Sequence, residues 1–571
     1  MLLSLPTETI IHALDLADFR SILSCGATCK RLRSITTTAE PLLYITTLAA
    51  NGLREVGEEQ YESLSVSEKL ARVREYERVG SRGGQLVLYD RISKLPSRRS
   101  YGYWITQTRA DDGSLTISRV KVGGPRNGDL SPRELLLASI PGPRPTRCAV
   151  CYYDPDTVIG ITYEPEPYSL SLTGRLIWTF NVWDLSSVNA TILSSFRGNP
   201  MLPRSWSAYG YTISYRSGGK RITRDLRFTE PIQTLEIPYI AEPTRNGHSS
   251  HHVLVADDMS IIARNPIAET PRLETDPSNF PLAPSYEVHL LNNDQPTTVF
   301  TLRLPRLNDE WNDATVERSG REPVVDGVFG RMDGVAATYQ DHRLFYDHWR
   351  FRCPITLNLD RSVIEYTEDN ILVCLHVPRL REFLRRRARS SETQSRFLEW
   401  DEWAAHARIV VLRALPVPYS IHWRSSENTT GMRIALWRKC LNEEVLNSPE
   451  LVSAARMIAI LDFHPSRARR RDSDADADLR FALDDGLHGS GMVRPFQDEN
   501  AYAGGLACAE YTYKLPPDVS TQGGIYKVYA TTLDGVVLTQ RSHAGKMVYV
   551  HCALPNLQNA ENQGTPTDGT V

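Results

Sequence analysis

After Gly83-Gly84 the chain is written for more than 450 residues in short β-prone runs separated by turn residues, and this limits its fold more than any other feature. The runs include QLVLYDRI, YGYWITQT, LTISRVKV, RLIWTFNVWDL, YTISYR, HHVLVA, YEVHLL, RIVVLRAL, MRIALW and GIYKVYATT. Runs of this length, rich in β-branched and aromatic residues and bounded by turn formers, read as strands. Asp111-Asp112-Gly113 and Asp534-Gly535 read as hairpin turns, where Gly supplies the positive φ such turns need. Many short strands in series, without long helical periods between them, predict an all-β body.

Phe180-Asn181-Val182-Trp183-Asp184-Leu185 ends a strand in the manner of a WD-type propeller blade, and Leu88-Tyr89-Asp90 and Leu436-Trp437-Arg438 look like eroded copies. A degenerate seven- or eight-bladed β-propeller is the expected form, with two separate β-domains as the alternative. Seven blades would hold roughly 65 residues each, where about 40–45 suffice. The surplus is assigned to loops at 263–285 and 464–500 and to an inserted helix at 390–407, given an apolar side by Phe397, Trp400 and Trp403. The tail 555–571 has the composition of a disordered segment.

Residues 1–82 have a different texture. Pro6 suits a first helical turn, and Glu8 suits the positive end of the helix dipole. Ile10, Ile11, Leu14 and Ala17 follow at helical spacing. Asp18 is placed to cap a second helix carrying Phe19, Ile22 and Leu23, which Gly26 is expected to break. A third helix begins near Thr28 and carries Cys29, Leu32 and Ile35. Pro41 opens a further helix closed at Asn51-Gly52. Ser65 and Glu68 form a capping box before an amphipathic helix with Leu70, Val73, Tyr76 and Glu77. Three short helices in about 35 residues cannot bury all their apolar surface among themselves.

The segment LPTETIIHALDLADFRSILSCGATCKRLRSI resembles the F-box. Leu5-Pro6, Glu8, Ile10-Ile11, Leu14, Asp18, Ile22-Leu23 and Cys29-Lys30-Arg31-Leu32-Arg33 fall at that family's spacing, with Ala17 and Thr28 where Leu and Val are usual. The order F-box, helical linker, β-rich body is similar to that of many fungal F-box proteins. The divisions are 1–40 F-box, 41–82 helical linker and 83–554 β-body. The resemblance implies docking to a Skp-type adaptor and, through it, a cullin. Leu5, Pro6, Ile10, Ile11, Leu14, Ile22, Leu23 and Leu32 are then the adaptor-facing or F-box-core candidates, with Cys29 inside the small core.

The remaining constellations read as structural. Cys148-Ala149-Val150-Cys151 has no second pair, which argues against zinc and for two strand cysteines in a reducing compartment. The sequons at Asn189 and Asn428 are then chance matches. Asp472–Asp478 alternates carboxylates, but Ala477 and Leu483 stand where a calcium loop needs Gly and Glu. With the adjoining Arg467–Arg471 it reads as a self-neutralising loop. Arg385–Arg389 reads as a solvated basic run, and His248, His251 and His252 lack further ligands. No nucleotide-loop, hydrolase or metalloprotease motif occurs.

Net charge is −3, from 65 Lys+Arg against 68 Asp+Glu, which argues against a dedicated nucleic-acid binder. No signal peptide or bilayer-spanning run is read, so the expected setting is cytoplasmic or nuclear. The expected function is substrate recognition in an SCF-type ubiquitin ligase, without a catalytic residue or cofactor. The alternatives are an adaptor-binding scaffold without ubiquitin transfer, and a propeller enzyme or ligand-binding protein with a decayed F-box.

Overall fold

The structure, a computed structural model, describes residues 4–51, 53–55, 64–80, 84–92, 98–100, 103–120, 134–141, 148–152, 158–170, 176–198, 206–209, 211–217, 220–227, 231–236, 252–256, 258–264, 285–290, 298–305, 315–318, 324–325, 331–332, 337–339, 344–357, 364–390, 396–411, 419–420, 429–430, 433–438, 457–463, 505–506, 509–516, 526–531, 535–541 and 547–553. The runs 467–471 and 472–478, the loops 265–284 and 464–500, His248, His251, Asn428, Asp534 and the tail 555–571 lie outside the described residues.

Among the described residues five helices precede the β-body: α1 Thr7–Asp15, α2 Phe19–Thr28, α3 Lys30–Thr38, α4 Glu40–Ala50 and α5 Val66–Gly80. Pro6 is the N-cap of α1 and so stands one residue before the first turn, where the sequence reading had put it. Asp18 caps α2 as its position predicts, accepting from the amides of Arg20 at 2.9 Å and Ser21 at 3.1 Å. Gly26 does not break that helix. The break comes at Cys29, whose extended backbone (φ −157°, ψ 163°) ends α2. Cys29 also starts α3, its sulfur accepting from the Leu32 amide at 3.5 Å. Gly26 instead lets α2 approach α3: a Cβ added there would lie 2.6 Å from Thr36 Oγ1. Ile10, Leu14, Ile22, Leu32, Ile35 and Leu42 form the buried centre of this unit, the last supplied by α4. The Ser65–Glu68 capping box forms as read: the Ser65 amide donates to Glu68 Oε2 at 2.8 Å, and the Glu68 amide to Ser65 Oγ at 3.3 Å. α5 then packs on α4 through buried Leu70 and Val73.

From Gly84 onward the structure is mostly β-sheet. Among the described residues there are seven sheets of four or more strands, each built around an antiparallel up-and-down run. The first holds Arg98–Ser100, Tyr103–Arg109, Leu115–Val120 and Glu134–Ile140, and the second Cys148–Tyr152, Val158–Leu170, Leu176–Asp184 and Thr191–Gly198. The third holds Trp206–Tyr209, Thr212–Ser217, Lys220–Asp225 and Pro231–Glu236, and the fourth His252–Ala256, Met259–Arg264, Ser285–Leu290 and Thr298–Arg303. The fifth is centred on Leu344–Leu357, Ile364–His376 and Ala407–Val411, and the sixth on Arg433–Arg438, Met457–Asp462 and Ala509–Lys514. The seventh joins Tyr526–Thr531, Gly535–Arg541 and Met547–Ala553 to Val87–Ile92 from the start of the body.

The first strands of the first four sheets are neighbours in turn: Arg98–Ser100 lies by Cys148–Tyr152, which lies by Trp206–Tyr209, which lies by His252–Ala256. His252–Ala256 lies in turn by Val324–Val325, a short strand paired with Leu344–Leu357 of the fifth. The apolar cores lie where adjacent sheets meet. Leu115, Ile117, Ala138 and Ile140 of the first sheet pack on Trp183, Leu185 and Ala190 of the second. Ile159, Ile161, Phe180, Val182 and Phe196 of the second pack on Ile213 and Leu226 of the third. Sheets that stack face to face around a shared set of first strands give a propeller-like body.

Several local readings resolve differently. The turn at 111–113 forms, with Gly113 at φ 87° and the Ala110 amide donating to Ser114 O at 3.0 Å. Trp183 stands on the third strand of its sheet, but 88–90 falls on a fourth strand and 436–438 on a second, so they are not positional copies. Cys148 and Cys151 fall on one strand, as read. The inserted helix, α6, is Val377–Ser390, earlier than 390–407, and the basic run lies on it. The later stretch holds the short strand Phe397–Leu398, which joins the fourth sheet in parallel, and a single turn, α7, Trp400–Trp403.

Candidate protein-docking surface

The helical unit divides the eight candidate residues by depth. Ile10 and Ile22 are 0% exposed, Leu32 5% and Leu14 6%, so these four belong to the core of the unit. Leu5 and Ile11 pack half-buried against that core, as does Cys29. Pro6 is exposed and Leu23 is 57% exposed. The most exposed apolar side chain is one the sequence reading passed over: Leu16, the C-cap of α1, at 80%. Its position two residues before the capping Asp18, outside the 10-11-14 stripe, was the available signal.

The surface around these leucines is held rigidly. Arg31 Nη2 donates to the Leu5 carbonyl at 3.0 Å, tying the chain before α1 to α3. The Asp18 carboxyl is held below its ordinary pKa, first by the Ser21 hydroxyl and then by the Ser21 amide. Phe19 and Leu23, one turn apart on α2, share a face, with the Arg20 guanidinium 5.9 Å from the Phe19 ring centre. Such a surface can bury leucine side chains against a partner, each contributing about 1.5–3 kcal/mol when fully covered. The strand Leu53–Glu55 that follows α4 pairs antiparallel with Ala337–Tyr339, so the helical unit is hydrogen-bonded to a segment inserted in the fifth sheet.

The basic run meets internal partners. Arg381 and Arg385 both contact Asp258, Arg381 at 2.6 Å, and Arg387 pairs with Glu402 at 2.8 Å. Below them Trp400 and Trp403 pack edge to face at 4.7 Å, with Trp403 Nε1 donating to the Arg303 carbonyl at 3.0 Å. Among the described residues no three His, Cys, Asp or Glu side chains are grouped as metal ligands. No helix there is long and apolar enough to cross a membrane.

No protein-family model and no curated protein matches the chain. Among solved structures it is similar to the WD40 domain of SCAP from fission yeast, at a TM-score of 0.27 and 9% identity over 83% of this chain and 97% of that one. A likeness that weak carries no argument about what this chain does.

Proposed function

We propose that the chain is an F-box protein, the non-catalytic substrate receptor of an SCF-type cullin–RING ubiquitin ligase in the cytoplasm or nucleus. In this reading α1–α3 dock a Skp-type adaptor and thereby a cullin, while the β-body, a seven-bladed propeller, holds a target protein. The function is geometric: a target tethered at high effective concentration presents its lysines to a charged ubiquitin-conjugating enzyme. One observation carries the proposal. The stretch with F-box spacing folds into a packed unit that keeps Leu16 and Leu23 outside its own core. The seven-bladed reading is supported by the seven successive sheets among the described residues, the adjoining first strands of the first four and the closure of the seventh by Val87–Ile92.

The test is binding of the intact chain to purified Skp-type adaptor, beside the double variant Leu16→Asp, Leu23→Asp. Both residues are exposed, so the variant should melt like the parent and lose adaptor binding. A parent that does not bind, or a variant that binds equally well, overturns the assignment.

A further inference from the structure

α6 carries a second surface, independent of the adaptor reading. Its buried side is Val377, Leu380 and Leu384, at 2%, 0% and 0% exposure. Arg379, Glu382, Arg386 and Arg389 recur at three- and four-residue steps on the opposite side. That stripe carries three guanidiniums against one carboxylate. Arg386 is 70% exposed and its only ion-pair partner among the described residues is Glu382, at 3.4 Å and itself 64% exposed. Pairs so open to water are weak and easily exchanged for another acid. Arg379 and Arg389 make no ion pair among the described residues.

Beside the stripe stands His406, at the end of the turn that follows α7. Its ring lies 4.8 Å from the Phe383 ring, and its Nδ1 is buried with no hydrogen-bond partner. Burial, then the charges of Arg379 and Arg386, hold the imidazole below its ordinary pKa. Arg379 and Arg386 thus stand near enough to the His406 imidazole for their charges to act on it at one flank of the helix. The Gly505 amide donates to Ala404 O at 3.1 Å, and a Cβ at Gly505 would fall 2.4 Å from Ala405 Cα, so the turn bearing His406 is clamped from behind.

We propose that this outward face of α6, with His406 at its flank, docks an acidic peptide segment of a partner protein. Carboxylates spaced along an extended or helical peptide can meet Arg379, Arg386 and Arg389 in turn, gaining charge-assisted hydrogen bonds. The carboxylate interleaved in the stripe, Glu382 at 64% exposure, opposes a continuous phosphate backbone and favours a peptide over nucleic acid.

The experiment is fluorescence anisotropy of a labelled octaglutamate peptide with the full chain at low and at physiological ionic strength. The triple variant Arg379→Ala, Arg386→Ala, Arg389→Ala should weaken binding by about tenfold. Arg20→Ala with Arg33→Ala, on the helical unit, should leave it unchanged. The peptide should also raise the His406 titration midpoint, read by NMR. If the triple variant misfolds, the single reversal Arg386→Glu gives the same reading from a position 70% exposed. Absence of binding by the parent overturns the proposal, as does equal weakening by both variants. So does tighter binding of a single-stranded oligonucleotide of equal charge that is lost in the same triple variant.

Discussion

Arg433 and Asp462 lie directly opposite one another on neighbouring strands of the sixth sheet, Nε 2.9 Å from Oδ2, with side chains 5% and 0% exposed. A pair shut this far from water has given up its hydration, and removing one partner takes a charge-assisted hydrogen bond from a charge that stays buried. Asp462→Ala should cost about 3–5 kcal/mol in denaturant unfolding of the full chain. Replacing both by Met and Leu should recover most of that loss. A single-variant cost below about 1 kcal/mol, typical of a solvated pair, would contradict this account.

Gly26→Ala should destabilise the helical unit, although the same change in an open helix gains about 1 kcal/mol. The added methyl meets Thr36 Oγ1 at 2.6 Å, so α2 and α3 must part. The expected cost is about 1–3 kcal/mol. Thr36→Ala should be restorative in the Gly26→Ala background, and a double-mutant cycle on melting curves reads the coupling.

The helix caps set an acid limit. The Asp18 carboxyl is lowered by the Ser21 hydroxyl and amide, and Glu68 by the Ser65 hydroxyl and amide. A carboxyl whose folded pKa is depressed stabilises the fold above its unfolded value, near pH 4, and loses that contribution as pH falls through the folded value. Helical signal should therefore fall with acidification below about pH 4. In Ser21→Ala the Asp18 midpoint, followed by carbon-detected NMR, should move upward. An unmoved midpoint would remove Ser21 as the cause.

Trp183 Nε1 donates to Thr162 Oγ1 at 2.7 Å within the second sheet, with both side chains buried. Trp183→Phe should cost about 1–3 kcal/mol, chiefly because the Thr162 hydroxyl is left without its donor. Thr162→Val in that background should add little further loss. A full additional loss would mean the two residues act separately.

What could be read in advance was local. Asp18, the Ser65–Glu68 box and the turn at 111–113 close their hydrogen bonds within a few residues, so residue type and spacing sufficed. Strand positions were legible for the same reason. Gly26 was misread as a breaker because its role depends on Thr36, ten residues on and one helix away. α6 was placed late because Pro378 and six arginines mask its apolar pattern, while its anchor, Asp258, lies in a turn of another sheet. Leu16 escaped notice because its importance is that nothing covers it, which periodicity alone does not report.

The pairing of Val87–Ile92 with Met547–Ala553 has a consequence for synthesis. The helical unit is built from contacts near in sequence and can pack as soon as it leaves the ribosome. The strand after it, Val87–Ile92, then waits for its ladder partner until nearly the whole β-body has been translated. Through that interval the nascent chain carries a finished helical unit ahead of an unfinished β-body, and a chain halted before Met547 would display that unit without the seventh sheet's closing pair behind it.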